Sequence, residues 1–306
     1  MKKQETLGNT LLLLTALIWG IAFVAQKQGM DHVGPFTFCG VRFIFSAVFV
    51  LMVVIIRDLV FHKKIILFTK NKKDLKIAIF GGVLCGLALS IATMLQQYSI
   101  QETSAGKTGF ITALYIVLVP IFGIAIKKKV KLVEWISVGI ALISLLLLCF
   151  KKEDIANNIY INKYDLLLLL CACCFSVQIL LIDYFSKKFD CLWLSAIEFL
   201  TCAIIGTIAM LIFEEPNIQS VKTAIIPILY AGIASGGIAY TLQFIGQKYT
   251  KPVIASIIMS LESVVSLIAA AILINERLSV QELIGCLFMF IAIMIPQLNS
   301  NNKKEV

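Results

Sequence analysis

The sequence predicts an all-α integral membrane protein of ten transmembrane helices, arranged as two inverted five-helix repeats. Three observations predict it. The chain is 59% hydrophobic and 15% charged, whereas soluble domains lie near about 45–50% apolar and about 25% charged. Ten apolar segments follow one another, each close to the roughly 20 residues that cross a bilayer. Landmarks of the first five segments then recur in the second five. Asn9, Phe38, Arg42 and Phe43 return 156 residues later as Asp165, Leu194, Glu198 and Phe199. Leu95, Gln96, Thr103, Leu114 and Tyr115 return 147 residues later as Leu242, Gln243, Thr250, Leu261 and Glu262. Five is odd, so the second set enters the membrane from the opposite side.

The first repeat spans residues 8–150. Its first span is expected over 10–27, with Asn9 capping free backbone N–H groups at its start and Trp19 near mid-depth. The basic leader before it resembles a signal peptide. No small-x-small cleavage site follows the apolar core, and the pattern returns in the second repeat without a basic leader, so the segment is read as a retained span. The second span, 36–56, carries Arg42. The third, 77–96, is rich in glycine (Gly81, Gly82, Gly86), and the fourth, 104–126, carries Tyr115. The fifth runs over 132–150.

The polar stretch 151–164 is expected to link the repeats, and the second repeat occupies 165–297. Asp165 opens the sixth span, 165–183, which holds Cys171, Cys173, Cys174 and Gln178. Three cysteines in an apolar helix, far in sequence from His32 and His62, read as small hydrophobes and not as a metal site. The seventh span, 192–213, carries Glu198. The eighth, 224–245, gathers Gly232, Ser235, Gly236 and Gly237. The ninth, 252–274, carries Glu262, and the tenth is 280–297, followed by a tail over 298–306. Gly82–Gly86 and Gly232–Gly236 have the spacing that lets helix backbones approach closely in lipid, for static packing or for sliding.

The formal charge of +9 raises the question of nucleic acid. The distribution answers it. Of the 27 Lys and Arg, 19 fall on one side of the membrane, 7 on the other, and Arg42 lies within a span. This is the positive-inside bias, and it places both termini in the cytoplasm of a cell-membrane protein. The richest loop, 57–76, is expected to sit against anionic lipid.

No enzyme signature stands in the chain. Gly106-Lys107-Thr108 carries the GKT of a phosphate loop, but position 101 is Gln where the motif needs glycine. No HExxH, GxSxG or GxGxxG is present, and no cofactor is implied. An integral-membrane enzyme or lipid-handling scaffold would need a catalytic cluster at one interface, and none is visible. Inverted repeats are instead the layout of secondary transporters, with a site near the midplane where the halves meet.

Charged groups inside a bilayer are expensive and are candidates for function. Arg42 lies about 9 Å into the second span, and Glu198 equally far into the seventh from the opposite face. Inversion therefore separates them by roughly 12 Å in depth, and a direct ion pair is not expected. Arg42 is expected to meet a substrate carboxylate or Glu262. Glu262 lies about 15 Å deep, at the midplane of a ~30 Å core, and Tyr115 lies equally deep. A carboxyl there either binds an amine or carries a coupled proton, or it serves as a buried structural acid. Trp19 and Tyr115 are expected to shape a cavity. Gln178, Gln96 and Gln243 are expected to line or gate a path through it.

Two stretches carry a family resemblance. AGKTGFITALYIVLVPIFG (Ala105 to Gly123) resembles the fourth helix of EamA-type members of the drug/metabolite transporter superfamily. SIIMSLESVVSLIAAAILINERLSVQELIG (Ser256 to Gly285) is similar to their ninth helix, a Glu-Arg-Leu turn and the tenth helix. The resemblance extends over about residues 8–297. Many members have proline after the ninth-helix glutamate, where this chain has Ser263. The resemblance implies ten helices around a central cavity, with helices one to four and six to nine lining it and five and ten at the periphery. It also implies export of small metabolites, including amino acids, by alternating access in which one repeat rocks against the other. The partners expected are the lipid bilayer, a small-molecule metabolite and protons as coupling ion, or no ion for a passive facilitator.

Overall fold

The computed structural model describes residues 2–62, 72–103, 105–149, 163–274 and 279–302. Most of the expected linker, the centre of the basic loop, the Glu-Arg-Leu turn and the end of the tail lie outside the described residues. Among the described residues every regular element is a helix. The first three spans are Lys2–Met30, Pro35–His62 and Lys72–Ser99. The fourth is two pieces, Ala105–Ala113 and Tyr115–Ala125, and the fifth is Leu132–Cys149. Lys163–Phe185 and Cys191–Phe213 form the sixth and seventh. A short helix, Ile218–Thr223, precedes the eighth span, which joins Ile225–Leu229, a π-helix Tyr230–Tyr240 and Thr241–Tyr249. The ninth is again two pieces, Pro252–Met259 and Leu261–Ile274, and the tenth is Val280–Asn302. By length and composition nine of these can cross a membrane, and Leu132–Leu148 is a shorter apolar helix.

Several helices outrun their apolar runs. The first begins at Lys2, so Asn9 lies inside it and does not cap it. Helical propensity carries the polar leader on beyond the apolar stretch, and Asn9 Oδ1 accepts instead from Thr250 Oγ1 at 2.9 Å. Asp165 stands in the first turn of the sixth span, near the position expected of it.

Burial sorts the spans by layer. In the ninth span 72% of the apolar window is buried, in the tenth 28%. The ninth is thus central, and the tenth packs on the fifth at the edge, where Ser144 Oγ donates to the Gly285 carbonyl at 2.7 Å.

The remaining eight spans do not pack repeat by repeat. The first span lies against the eighth and ninth, and the sixth lies against the third and fourth. Glycines set these approaches. A Cβ on Gly20 would stand 2.8 Å from the Glu262 carbonyl, and one on Gly8 would stand 2.8 Å from the Gly246 carbonyl. Gly81 faces the Phe185 ring, and a Cβ on Gly86 would stand 2.7 Å from the Glu198 carbonyl. A Cβ on Gly232 would stand the same 2.7 Å from the Arg42 carbonyl, so the third span packs on the seventh as the eighth packs on the second. The glycine clusters read from sequence therefore sit at close helix contacts.

The second and seventh spans meet along their length, where Gly40 and Gly206 let the backbones close up. Both ends of this pair are tied. Glu214 accepts from the N–H groups of Phe36 and Thr37 at 3.0 and 2.8 Å, a carboxylate at a helix N-terminus. At the other end Arg57 bonds Asp190 at 2.8 Å, and Asp190 caps the seventh span through the Trp193 N–H.

Candidate functional site

The fourth and ninth spans break at matching places. Leu114 (φ −58°, ψ −10°) and Ser260 (φ −66°, ψ −9°) leave the α-helical path, and the chain tightens into three-residue bonds. Val117 N–H reaches the Leu114 carbonyl at 2.9 Å, and Ser263 N–H reaches the Ser260 carbonyl at 3.1 Å. The second piece of each span then opens on Tyr115 or, one residue further in, on Glu262. Tyr115 donates its hydroxyl to Glu262 Oε1 at 3.1 Å, and both residues are buried. Gly20 is what allows the first span to reach the backbone at this point.

Around this pair lies a cavity with about 530 Å³ of empty space, its open mouth included. All five residues singled out from the sequence, Trp19, Arg42, Tyr115, Gln178 and Glu262, line it, as do Gln96 and Gln243. Most of the lining obeys the repeat. Trp19 and Phe175, Ala22 and Gln178, and Phe23 and Ile179 are lining pairs at the first offset. Thr93 and Tyr240, Gln96 and Gln243, Thr112 and Met259, and Tyr115 and Glu262 are lining pairs at the second. Sequence reasoning missed Tyr240, Phe175, Thr93, Thr112 and Met259. The two offsets, applied to every residue at midplane depth, would have found them.

Arg42 is 5% exposed and makes no ion pair among the described residues. Its guanidinium carbon stands 4.8 Å from the Phe43 ring centre and 5.7 Å from that of Phe38, a cation–π arrangement. Arg42 Nε and Trp19 Nε1 are buried donors without a hydrogen-bond partner among the described residues. Trp19 packs on Tyr240 at 4.6 Å between ring centres, and Tyr240 meets Phe199 edge-on at 5.7 Å.

Glu198 does not pair with Arg42, as the depth argument expects. It is fully buried, and its Oε1 accepts from Gln178 Nε2 at 3.0 Å. The side-chain amides of Gln178 and Gln243 exchange hydrogen bonds, Gln243 Nε2 donating at 3.3 Å and Gln178 Nε2 at 3.5 Å. The seventh span, expected to line the cavity, reaches it through this Glu198–Gln178 bond and contributes no lining residue among those described.

On the Lys-rich side the eighth span meets the sixth and seventh: Gln247 Nε2 bonds the Ile179 carbonyl at 3.2 Å, and the Ser195 and Thr241 hydroxyls lie 2.9 Å apart. Toward the other face the lining reaches Gln26 and Gln96, within about a turn of the helix ends at Met30 and Ser99.

The EamA-like transporter family model matches residues 6–150 and 162–296. A transporter of uncharacterized function from Archaeoglobus fulgidus is 26% identical over 304 residues, covering 94% of this chain and 84% of the relative. The uncharacterized transporter YoaV of Bacillus subtilis is 22% identical, covering 96% and 97%. An uncharacterized transporter from Clostridium kluyveri is 25% identical, covering 97% and 94%. A solved crystal structure superposes with a TM-score of 0.75 at 15% identity, covering 96% of this chain and 98% of the other, which shows a shared fold.

Proposed function

The chain belongs to the EamA-like transporter family, and from that premise we propose that it exports amino acids or related small metabolites by alternating access. The coarser statement is plain: this is a multi-pass membrane transporter of the drug/metabolite type and not an enzyme. The finer reading rests on one observation. A cation with an unpartnered donor, Arg42, and a carboxyl, Glu262, line the same cavity. A zwitterion presents the complementary pair, a carboxylate for Arg42 and an ammonium for Glu262. Trp19, Tyr115 and Gln178 shape the space between, and Trp19 Nε1 offers a second donor to an anionic group. Protons are the proposed coupling ion, carried at Glu262. The positive-inside bias supports a cell-membrane location with both termini cytoplasmic.

The test is counterflow in proteoliposomes. Vesicles preloaded with single amino acids, dipeptides or cationic drugs are diluted into tracer, with and without a proton gradient. Exchange of at least one amino acid supports the reading. Vesicles that move none of these cargoes, under either condition, sink it.

A further inference from the structure

Glu198 is a buried ionisable group that the transport reading does not use. It is fully buried in the seventh span and is not among the residues that line the cavity. No cation pairs with it among the described residues. Its Oε1 accepts from Gln178 Nε2 at 3.0 Å, and its Oε2 is buried without a hydrogen-bond partner among those residues. The Cys85 thiol of the third span, the Cys202 thiol of its own helix and the Tyr240 phenol of the eighth span stand within electrostatic reach. Arg42 of the second span and Glu262 of the ninth act on the same phenol from the cavity. From the sixth span the facing group is the Gln178 amide. A carboxyl within the membrane and without a counter-charge is a candidate for carrying a proton.

Gln178 connects this carboxyl to the cavity, which it lines beside Gln243. The two amides lie head to tail, each NH2 group against the other's carbonyl. One of those NH2 groups, that of Gln178, also serves Glu198. An amide has a donor end and an acceptor end of nearly the same shape, so its partners decide which way it points. An ionised carboxylate only accepts, and it takes the Nε2 end of Gln178. A protonated carboxyl has an O–H to donate. On Oε2 that hydrogen has no acceptor among the described residues. Toward Gln178 it has one, provided the amide presents Oε1. Turning Gln178 over sets like against like at Gln243, carbonyl to carbonyl, so Gln243 turns as well.

We infer that Glu198 is a positioning residue whose proton sets the polarity of the cavity wall. Ionised, it holds Gln178 and Gln243 in the orientation described. Protonated, it turns both amides over, and carbonyl oxygen and NH2 exchange places at both positions on the wall. The carboxyl itself touches no cargo, unlike Glu262, which lines the cavity. The inference rests on the transport reading for its use and on the hydrogen bonds for its content. A site built to hydrogen-bond its cargo rejects one that leaves its polar groups unpaired, so a cargo fitted to one setting is held less well in the other. The first repeat has no such chain. The counterparts of Glu198 and Gln178 are Arg42 and Ala22, and Gln96, the counterpart of Gln243, donates to Thr112 Oγ1 at 3.3 Å. The device belongs to the second repeat alone.

The experiment is infrared difference spectroscopy of the full chain in lipid nanodiscs, acid pH minus alkaline pH. Protonated carboxyl groups and glutamine side-chain amides give separate bands, and isotope-labelled glutamine marks the second set. The native protein is compared with Glu198→Gln, Glu262→Gln and Gln178→Leu. The expected result is a carboxyl band that Glu198→Gln removes, Glu262→Gln keeps and Gln178→Leu shifts in frequency. Glutamine amide bands should change with it in the native protein and be lost from the difference spectrum of Glu198→Gln. Glu198→Asp serves where Glu198→Gln does not fold, with the carboxyl band shifted and the amide bands weakened. Absence of a carboxyl band that depends on residue 198 overturns the inference. Such a band with no change in the glutamine amides overturns it as well, and leaves Glu198 a structural acid. Counterflow on the same protein keeps the two readings apart. Protein that moves no amino acid yet gives the expected bands overturns the cargo assignment and keeps the amide reversal. Protein that moves amino acids without those bands does the opposite.

Discussion

Tyr115 and Glu262 occupy the same place in the two repeats, 147 residues apart, and are joined by a hydrogen bond of 3.1 Å at the centre of the bundle. The bond ties the broken fourth span to the broken ninth, and each break begins its second piece at this contact. A symmetric frame here holds unlike chemistry, a phenol facing a carboxyl.

Tyr115→Phe removes the donor and keeps the ring. Glu262 Oε1 then loses the partner the structure shows for it, and a buried polar group left unsatisfied costs about 1–3 kcal/mol. The expected outcome is a lowered unfolding temperature in detergent, measured by intrinsic fluorescence. Unchanged stability would mean that Glu262 finds another partner in the cavity.

Glu262→Gln keeps an acceptor for Tyr115 and removes the titratable group. Fold and counterflow are expected to persist, and accumulation driven by a pH gradient is expected to be lost. Tracer uptake into vesicles at matched and unmatched pH separates the two. A passive facilitator instead gives no accumulation in either protein.

Arg42→Lys keeps the charge but loses the planar group lying over Phe43 and Phe38. Charge-assisted bonds are worth about 1.5–3 kcal/mol, and a point charge reproduces the fork geometry poorly. The KM for a carboxylate-bearing cargo is expected to rise by about tenfold or more, with a smaller change for its amide. Equal changes for both would place Arg42 in a structural role.

Gly86→Val and Gly139→Ala should behave oppositely. A Cβ on Gly86 would stand 2.6 Å from Thr201 Cβ and 2.7 Å from the Glu198 carbonyl, whereas nothing lies within 4 Å of one on Gly139. Overpacking costs about 1–3 kcal/mol, and Ala for Gly inside a helix gains up to about 1 kcal/mol. Thermal unfolding of the two variants beside the native protein checks both signs.

Much of this site was legible in the sequence because depth and repeat offset are both simple counts along a helix. They separate Arg42 from Glu198, bring Tyr115 to Glu262, and put Gln96 and Gln243 on one path. Neighbourhood across the bundle was not legible in that way. Gly8 and Gly20 look like any other glycines in an apolar helix, and their partners lie in the eighth and ninth spans. Glu198 reads as a charge in search of a counter-charge, yet the structure gives it an amide, Gln178, twenty residues earlier. Asn9 has the composition of a cap, but the helix continues past it through the polar leader. The ten apolar runs record immersion in lipid, while pairing depends on which small residues happen to face one another.

The position of the first span bears on how the protein is made. Asn9 and Thr250 bond across 241 residues of chain, and Gly20 packs on the ninth span. At about 5–20 residues per second of synthesis, the first helix waits roughly 10–50 s before its neighbours leave the ribosome. During that wait its small-residue face meets lipid or an insertion factor. Final assembly is therefore a late event, and truncation before the ninth span should leave an inserted but unassembled chain for quality-control proteases to remove.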